Sequence, residues 1–113
     1  TDSTLPQDVT NDAGRDYMHL KTKYHLPDSH LSNQLAVYAS LKVLAEGLKR
    51  SGHRLSRSRL ISSLEGLKHF ETGVTQPITY NPKRRIGALG AYIMLLDLTA
   101  RSYRPVDAWH ALE

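Results

Sequence analysis

The chain has 113 residues, 40% hydrophobic and 23% charged, with a formal net charge of +4 and no cysteine. That length supports one modest core burying roughly two-thirds of the unfolded surface, and the composition excludes wholesale disorder. The missing thiols exclude disulfides, thiolate nucleophiles and cysteine-based zinc sites, and the longest apolar run, Ala88 to Leu96, is far too short for a helix that crosses a bilayer.

Thr1 to Asp8, with Pro6 among hydroxyl and acidic residues, reads as an extended lead-in. It has no signal-peptide pattern, as expected of a mature chain or an internal piece. From Val9 to His25 the residues Val9, Ala13, Tyr17, Leu20 and Tyr24 recur at separations of three and four, which predicts a helix over 9–25. Leu26-Pro27-Asp28 stops it, because the residue before a proline is pushed out of the α region.

Leu31, Leu35, Tyr38, Leu41, Leu44 or Ala45, and Leu48 form an unbroken stripe that predicts a helix over 31–50. Asp28 or Ser29 is positioned to cap it, Lys49 and Arg50 suit the negative end of its dipole, and Gly52 suits a left-handed stop. Its small residues Ala36, Ala39, Ser40 and Ala45 widen the face open to close packing. A third helix is expected over 56–68, with Ser56 as cap and Leu60, Ile61, Leu64 and Leu67 on its inner side.

Thr72-Gly73 then breaks the helical register. Pro77 to Tyr80 reads as a brief strand before the turn signal Asn81-Pro82, and Ala91 to Leu98, introduced by Gly87 and Gly90, as a buried strand. Residues 102–106 are expected to pair with it as a hairpin, Tyr103 and Val106 being the apolar members. Helices with sheet over one segment, 1–113, place the chain in the α/β class.

The reactive-group inventory holds no recognisable catalytic constellation. No two of the histidines His19, His25, His30, His53, His69 and His110 stand at the i, i+4 spacing that aligns imidazoles on a helix, so surface histidines are expected and no metal is implied. No Gly-x-Ser-x-Gly elbow occurs, and Gly87 to Gly90 lacks the Lys and Ser/Thr of a phosphate loop. Lys83-Arg84-Arg85 reads as a solvated loop tip, and the cations fall at helix ends and in a loop instead of along one face with aromatics, which argues against nucleic acid. Trp109 is expected to cover a sheet edge or to meet a partner.

One stretch goes further. Tyr38-Ala-Ser-Leu-Lys-Val-Leu-Ala-Glu-Gly-Leu-Lys-Arg-Ser-Gly52, Leu55-Ser-Arg-Ser-Arg-Leu-Ile-Ser-Ser-Leu-Glu-Gly-Leu67, Phe70-Glu-Thr-Gly-Val-Thr-Gln-Pro-Ile-Thr-Tyr80 and the glycine-flanked strand Ala91 to Asp97 follow one another. In this order they resemble the C-terminal part of type I periplasmic solute-binding proteins, the branched-chain amino-acid-binding family of ABC transporters.

The resemblance implies part of a two-lobed fold with helices packed on a sheet. It also implies lobe closure around a small solute (an amino acid, amide or small aromatic acid), docking on a membrane permease, and a periplasmic location, with no catalysis and no cofactor. It places the start of the long helix near the cleft, making Asn33 and Gln34 the candidate ligand-binding residues. The chain is much shorter than a whole receptor, so it is expected to associate with the remainder of the receptor or with itself through exposed faces. Two other readings compete: a small basic DNA-binding regulator using Arg54, Arg57, Arg59 and Lys83 to Arg85, and a receptor-like sensor or interaction domain.

Overall fold

The computed structural model describes residues 12–112. The order is α1 (Asp12–Lys23), α2 (Leu31–Ser51), α3 (Arg57–Glu65), β1 (Gly90–Ala91), β2 (Met94–Asp97), β3 (Ser102–Pro105) and β4 (His110–Ala111). The content is therefore mixed, three helices followed by small antiparallel sheets. No described helix is long and apolar enough to cross a membrane.

The predicted start of the first helix, Val9 to Asn11, and the extended lead-in lie outside the described residues. The helix ends at Lys23 instead of His25. Tyr24 and Leu26 still donate back to Leu20 and Lys21, but His25 turns left-handed at φ 53° and closes the last turn before Pro27. Tyr24 consequently leaves the buried face, with the Lys23 ammonium 5.3 Å from its ring centroid.

Neither Asp28 nor Ser29 caps α2. The N-cap is His30, left-handed at φ 55° with no side-chain cap bond, because Asp28 is held by the Lys21 ammonium and the Ser29 carbonyl accepts from Gln34. At the other end Gly52 takes φ 71°, the positive value that favours glycine. Ser56 does cap α3, its Oγ accepting from the Arg59 amide at 3.1 Å. That helix stops at Glu65 instead of residue 68, and Leu67, just past its end, is fully buried.

The two neighbours of α2 sit at different distances for a reason written in the side chains. Tyr17 of α1 and Tyr38 of α2 stand between those helices and hold them apart by their rings. On α3 the spacer is a glycine: a Cβ on Gly47 would lie 2.6 Å from Leu64 Cδ2 and 3.1 Å from Leu60 Cδ1, so α3 rides directly on the α2 backbone. Ser51, one turn on, donates to the Gly47 carbonyl at 2.7 Å and to Ser63 Oγ at 3.1 Å.

Ala13, Tyr17, Leu35, Tyr38, Ala39 and Val74 form the core, with Leu20 packed against it. The α2 stripe predicted as one face is split by this arrangement. Leu35 and Tyr38 are buried, whereas Leu41, Leu44 and Leu48 stay exposed together with Val37.

The segment 67–88 closes the core from below without regular strands. The expected strand at 77–80 is a single extended run between two others. Phe70 and Ile78 exchange backbone bonds at 2.8 and 2.9 Å, and Thr79 donates to the Gly87 carbonyl at 2.9 Å. The expected long strand over 91–98 and its partner over 102–106 are a two-stranded ribbon in two pieces. β1 pairs with β4 (Gly90 with Ala111) and β2 with β3 (Met94 with Pro105 through Asp97 with Ser102).

Between the pieces, Tyr92 and Ile93 face the longer run Val106 to Trp109, a bulge that interrupts the ladder. Trp109 folds over Gly90 there, where a Cβ would stand 2.6 Å from its indole, and meets Tyr92 edge-on at 5.2 Å. Helices layered on a sheet, as the resemblance implied, are not what forms. The core lies between the helices and the 67–88 segment, and Leu95, Leu96, Leu98 and Tyr103 of the ribbon remain exposed, because a ribbon of two strands has no third strand or helix on either face.

Candidate functional site

A hollow of about 360 Å³ opens between the first turns of α2 and the 72–88 segment. Its upper wall is the small-residue face of α2, where Ala36, Ala39 and Ser40 leave the space that larger side chains would fill. Thr72 and Thr75 come from the turn below, and Tyr80 and Gly87 from the paired extended runs.

Thr72 builds the lower wall. It is fully buried, and its Oγ1 accepts from the amides of Val74 and Thr75 at 3.3 and 3.0 Å, turning the backbone on itself. Lys42 ties that turn to α2 by donating to the Thr72 carbonyl at 3.1 Å while its ammonium lies 5.2 Å from the Tyr38 ring centroid. Gly87 completes the wall because a Cβ there would stand 2.9 Å from Ile78 Cγ2 and 3.1 Å from the Tyr80 hydroxyl. A larger residue would push Tyr80 aside.

The lining is uncharged and mostly apolar, with Ala36, Ala39, Val43 and Ile78 beside a few polar groups. Ser32, Asn33 and Tyr80 present two hydroxyls and one amide, none of them engaged by a side-chain hydrogen bond among the described residues. The amides of Leu31, Ser32 and Asn33 open the helix and have no intrahelical acceptor, and His30 supplies no side-chain oxygen to them. Such a wall recognises hydrogen-bonding groups by geometry, without an ion pair.

The two sequence-predicted residues part company. Asn33 lines the hollow. Gln34 points the other way and fastens the α1–α2 connection: its Nε2 donates to the carbonyls of Pro27 and Ser29 at 2.9 and 3.0 Å, and its Oε1 accepts from the Tyr17 hydroxyl at 2.8 Å. Ser32, Thr75 and Tyr80 were not among the predicted site residues. Ser32 stands one position before Asn33, but Thr75 and Tyr80 reach the hollow only through the fold of a segment without periodicity.

The basic loop is stitched into the structure. Arg84 donates from Nε to the Ile86 carbonyl at 2.9 Å and from Nη2 to the Gly87 carbonyl at 3.3 Å, and Arg85 pairs with Glu65 at 2.9 Å. That pair borders a smaller hollow of about 220 Å³ on the far side of Tyr80. Among the described residues no group of three His, Asp or Glu side chains is placed to hold a metal ion.

Among the described residues three groups are shifted. Burial, then the carboxylate of Asp16 that its hydroxyl bonds, pushes the Tyr38 phenol well above its usual range. Burial likewise raises Tyr17. The Lys21 ammonium, by hydrogen bond and by charge, holds the Asp28 carboxyl below the usual carboxylate range. None of the three lines the hollow.

No family model, no curated protein and no solved structure matches this chain.

Proposed function

We propose that the chain is the C-terminal part of the substrate-binding component of an ABC transporter for amino acids or similar small solutes, working in the periplasm by lobe closure without catalysis. The observation that carries this reading is the uncharged hollow at the start of α2, where Asn33, Ser32 and Tyr80 line the wall beside helix amides that have no intrahelical acceptor. Hydroxyl, amide and N–H groups of this kind bond the carboxylate or amide of a small solute, and a helix N-terminus favours its negative charge.

One open wall is half of a clamshell. Closure acts when a second wall adds contacts that exist only in the closed state, and that difference shifts the equilibrium. The remainder of the receptor would supply the second wall and the surface that meets the permease. The chain alone then gives no measurable affinity.

The Arg84 guanidinium, tied to the Ile86 and Gly87 carbonyls, is not free for phosphate, which weighs against one cation of the DNA-binding alternative. The deciding experiment has two steps. The intact mass of the native gene product is expected to exceed 12.7 kDa. Calorimetry of that longer product against free amino acids, amides and small aromatic acids is then expected to give heat with at least one, and none with residues 1–113 alone. A native product of 113 residues, or a longer one deaf to the whole panel, ends this reading.

A further inference from the structure

The two edges of the β2–β3 ribbon are built differently. In an antiparallel ladder alternate pairs exchange backbone bonds, and the pairs between them aim N–H and C=O outward. Val106 donates to the Ile93 carbonyl at 2.9 Å. The bonded pairs are therefore Ile93 with Val106, Leu95 with Arg104, and Asp97 with Ser102, while Met94/Pro105 and Leu96/Tyr103 face outward.

On the β3 edge an outward position is Pro105, which has no N–H to offer, and Arg104 adds a charge beside it. Both are devices that block strand addition. On the β2 edge the outward positions are Met94 and Leu96, whose backbone groups have no backbone partner among the described residues. From Ile93 to Leu96 this edge has neither proline nor charge.

Both faces of the ribbon are also uncovered. Leu95 and Leu96 point to opposite sides, as successive strand residues must, yet they are 44% and 50% exposed. A lone two-stranded ribbon is marginal in water and gains stability from further strands. One edge is closed to them and the other is open.

We propose that β2 pairs with β2 of a second copy of this chain, antiparallel about a twofold axis, to give a continuous sheet in the order β3–β2–β2–β3. A second copy fits because the edge matches itself. Met94 of each copy stands opposite Leu96 of the other, each pair exchanging both backbone bonds, and Leu95 meets Leu95 on the axis.

The charges agree with this register. Asp97, the charged residue of β2, falls opposite Ile93 and not opposite its own counterpart, and its Oδ1 already accepts from the amides of Thr99 and Ala100 at 3.0 Å. Moving the axis one position onto Leu96 would set Asp97 against Leu95 and draw in Leu98 from the turn. One face of the joined sheet becomes wholly apolar, with Met94, Leu96, Tyr103 and Pro105 from both copies. This inference stands on backbone geometry and is independent of the solute reading.

The test uses the 113-residue chain in sedimentation velocity from low to high micromolar concentration. The expected mass is twice 12.7 kDa, returning to a single chain in Leu96→Pro, since the amide that this proline removes points away from β3. Because the protein lacks cysteine, Leu95→Cys provides a second readout. An unbonded antiparallel pair sets its Cα atoms about 4.5 Å apart, within disulfide range, so mild oxidation should link two chains through position 95 and leave Arg104→Cys unlinked. A single-chain mass at every concentration overturns the proposal, as does a doubled mass that survives Leu96→Pro, or equal cross-linking at 95 and 104.

Discussion

Tyr17 and Tyr38 meet edge to face across the α1–α2 gap, ring centroids 6.2 Å apart and planes inclined at 66°. Each sends its hydroxyl in a different direction, Tyr38 to Asp16 Oδ2 at 2.7 Å and Tyr17 to Gln34 Oε1 at 2.8 Å. The rings give the core its largest apolar surfaces, and the two bonds let the phenols stay in a buried place without an unmet polar atom. The pair therefore sets both the spacing of the helices and their register.

This pairing makes stability fall in alkali. Burial raises both phenols, and Asp16 raises Tyr38 further. A raised acid keeps its proton in the folded state while the unfolded chain releases it, so the contribution is complete below the unfolded value of about 10 and is lost as pH climbs past it. Urea midpoints measured from pH 8 upward should hold steady and then drop beyond about pH 10. A Tyr17→Phe/Tyr38→Phe variant should show a shallower drop over the same interval.

Gln34 is expected to matter for folding more than for binding. Gln34→Ala removes three hydrogen bonds that join α1, the Pro27–Ser29 carbonyls and α2. The Tyr17 bond is part-buried and the two carbonyl bonds are exposed, so at about 1 kcal/mol for the first and less for the others the cost should be about 1–2 kcal/mol, read from chemical denaturation. Asn33→Ala should leave stability within about 0.5 kcal/mol, since its side chain makes no such bond.

Gly47 tests the close approach of α3. Gly47→Ala gains about 1 kcal/mol of helix propensity but sets its Cβ 2.6 Å from Leu64 Cδ2 and 3.1 Å from Leu64 Cγ and Leu60 Cδ1, side chains that must shift, so the two effects should nearly cancel. Gly47→Val adds branched bulk against Leu60 and Leu64 and should lose about 2–3 kcal/mol by overpacking. Differential scanning calorimetry of the three proteins separates the cases.

The hollow can be filled without touching the core. Ala36 lies on its wall and is otherwise exposed, so Ala36→Leu should change stability by no more than about 0.5 kcal/mol. In the longer product proposed above, the same change should abolish the calorimetric signal for the solute. A signal unchanged from the parent would place solute recognition elsewhere.

Much of the local structure was legible because local rules write it. The separations of three and four at Ala13, Tyr17 and Leu20 and along α2 belong to helices. Pro27 and Gly52 mark breaks, and Ser56 supplies the cap oxygen of α3. The hairpin joining residues 94–97 to 102–105 follows from the apolar run over 91–98 and from Tyr103 and Val106 beyond the turn. Of the two candidate residues, one lines the hollow. Asn33 was accessible from its place at a helix start, but Gln34 has the same credentials and serves the connection instead.

The sequence by itself determined where the chain coils, where it turns and where it extends, since these depend on residues a few positions apart. Only the tertiary structure decided which side of α2 would be buried. Tyr17, Val74 and Leu64 approach it from distant parts of the chain and cover Leu35, Tyr38 and Gly47, leaving Val37, Leu41, Leu44 and Leu48 in solvent. Periodicity states that a helix has an apolar face, whereas the partner that covers it is a matter of long-range packing, and the hollow beside Asn33 exists only because that packing places Thr72 and Tyr80 opposite small residues.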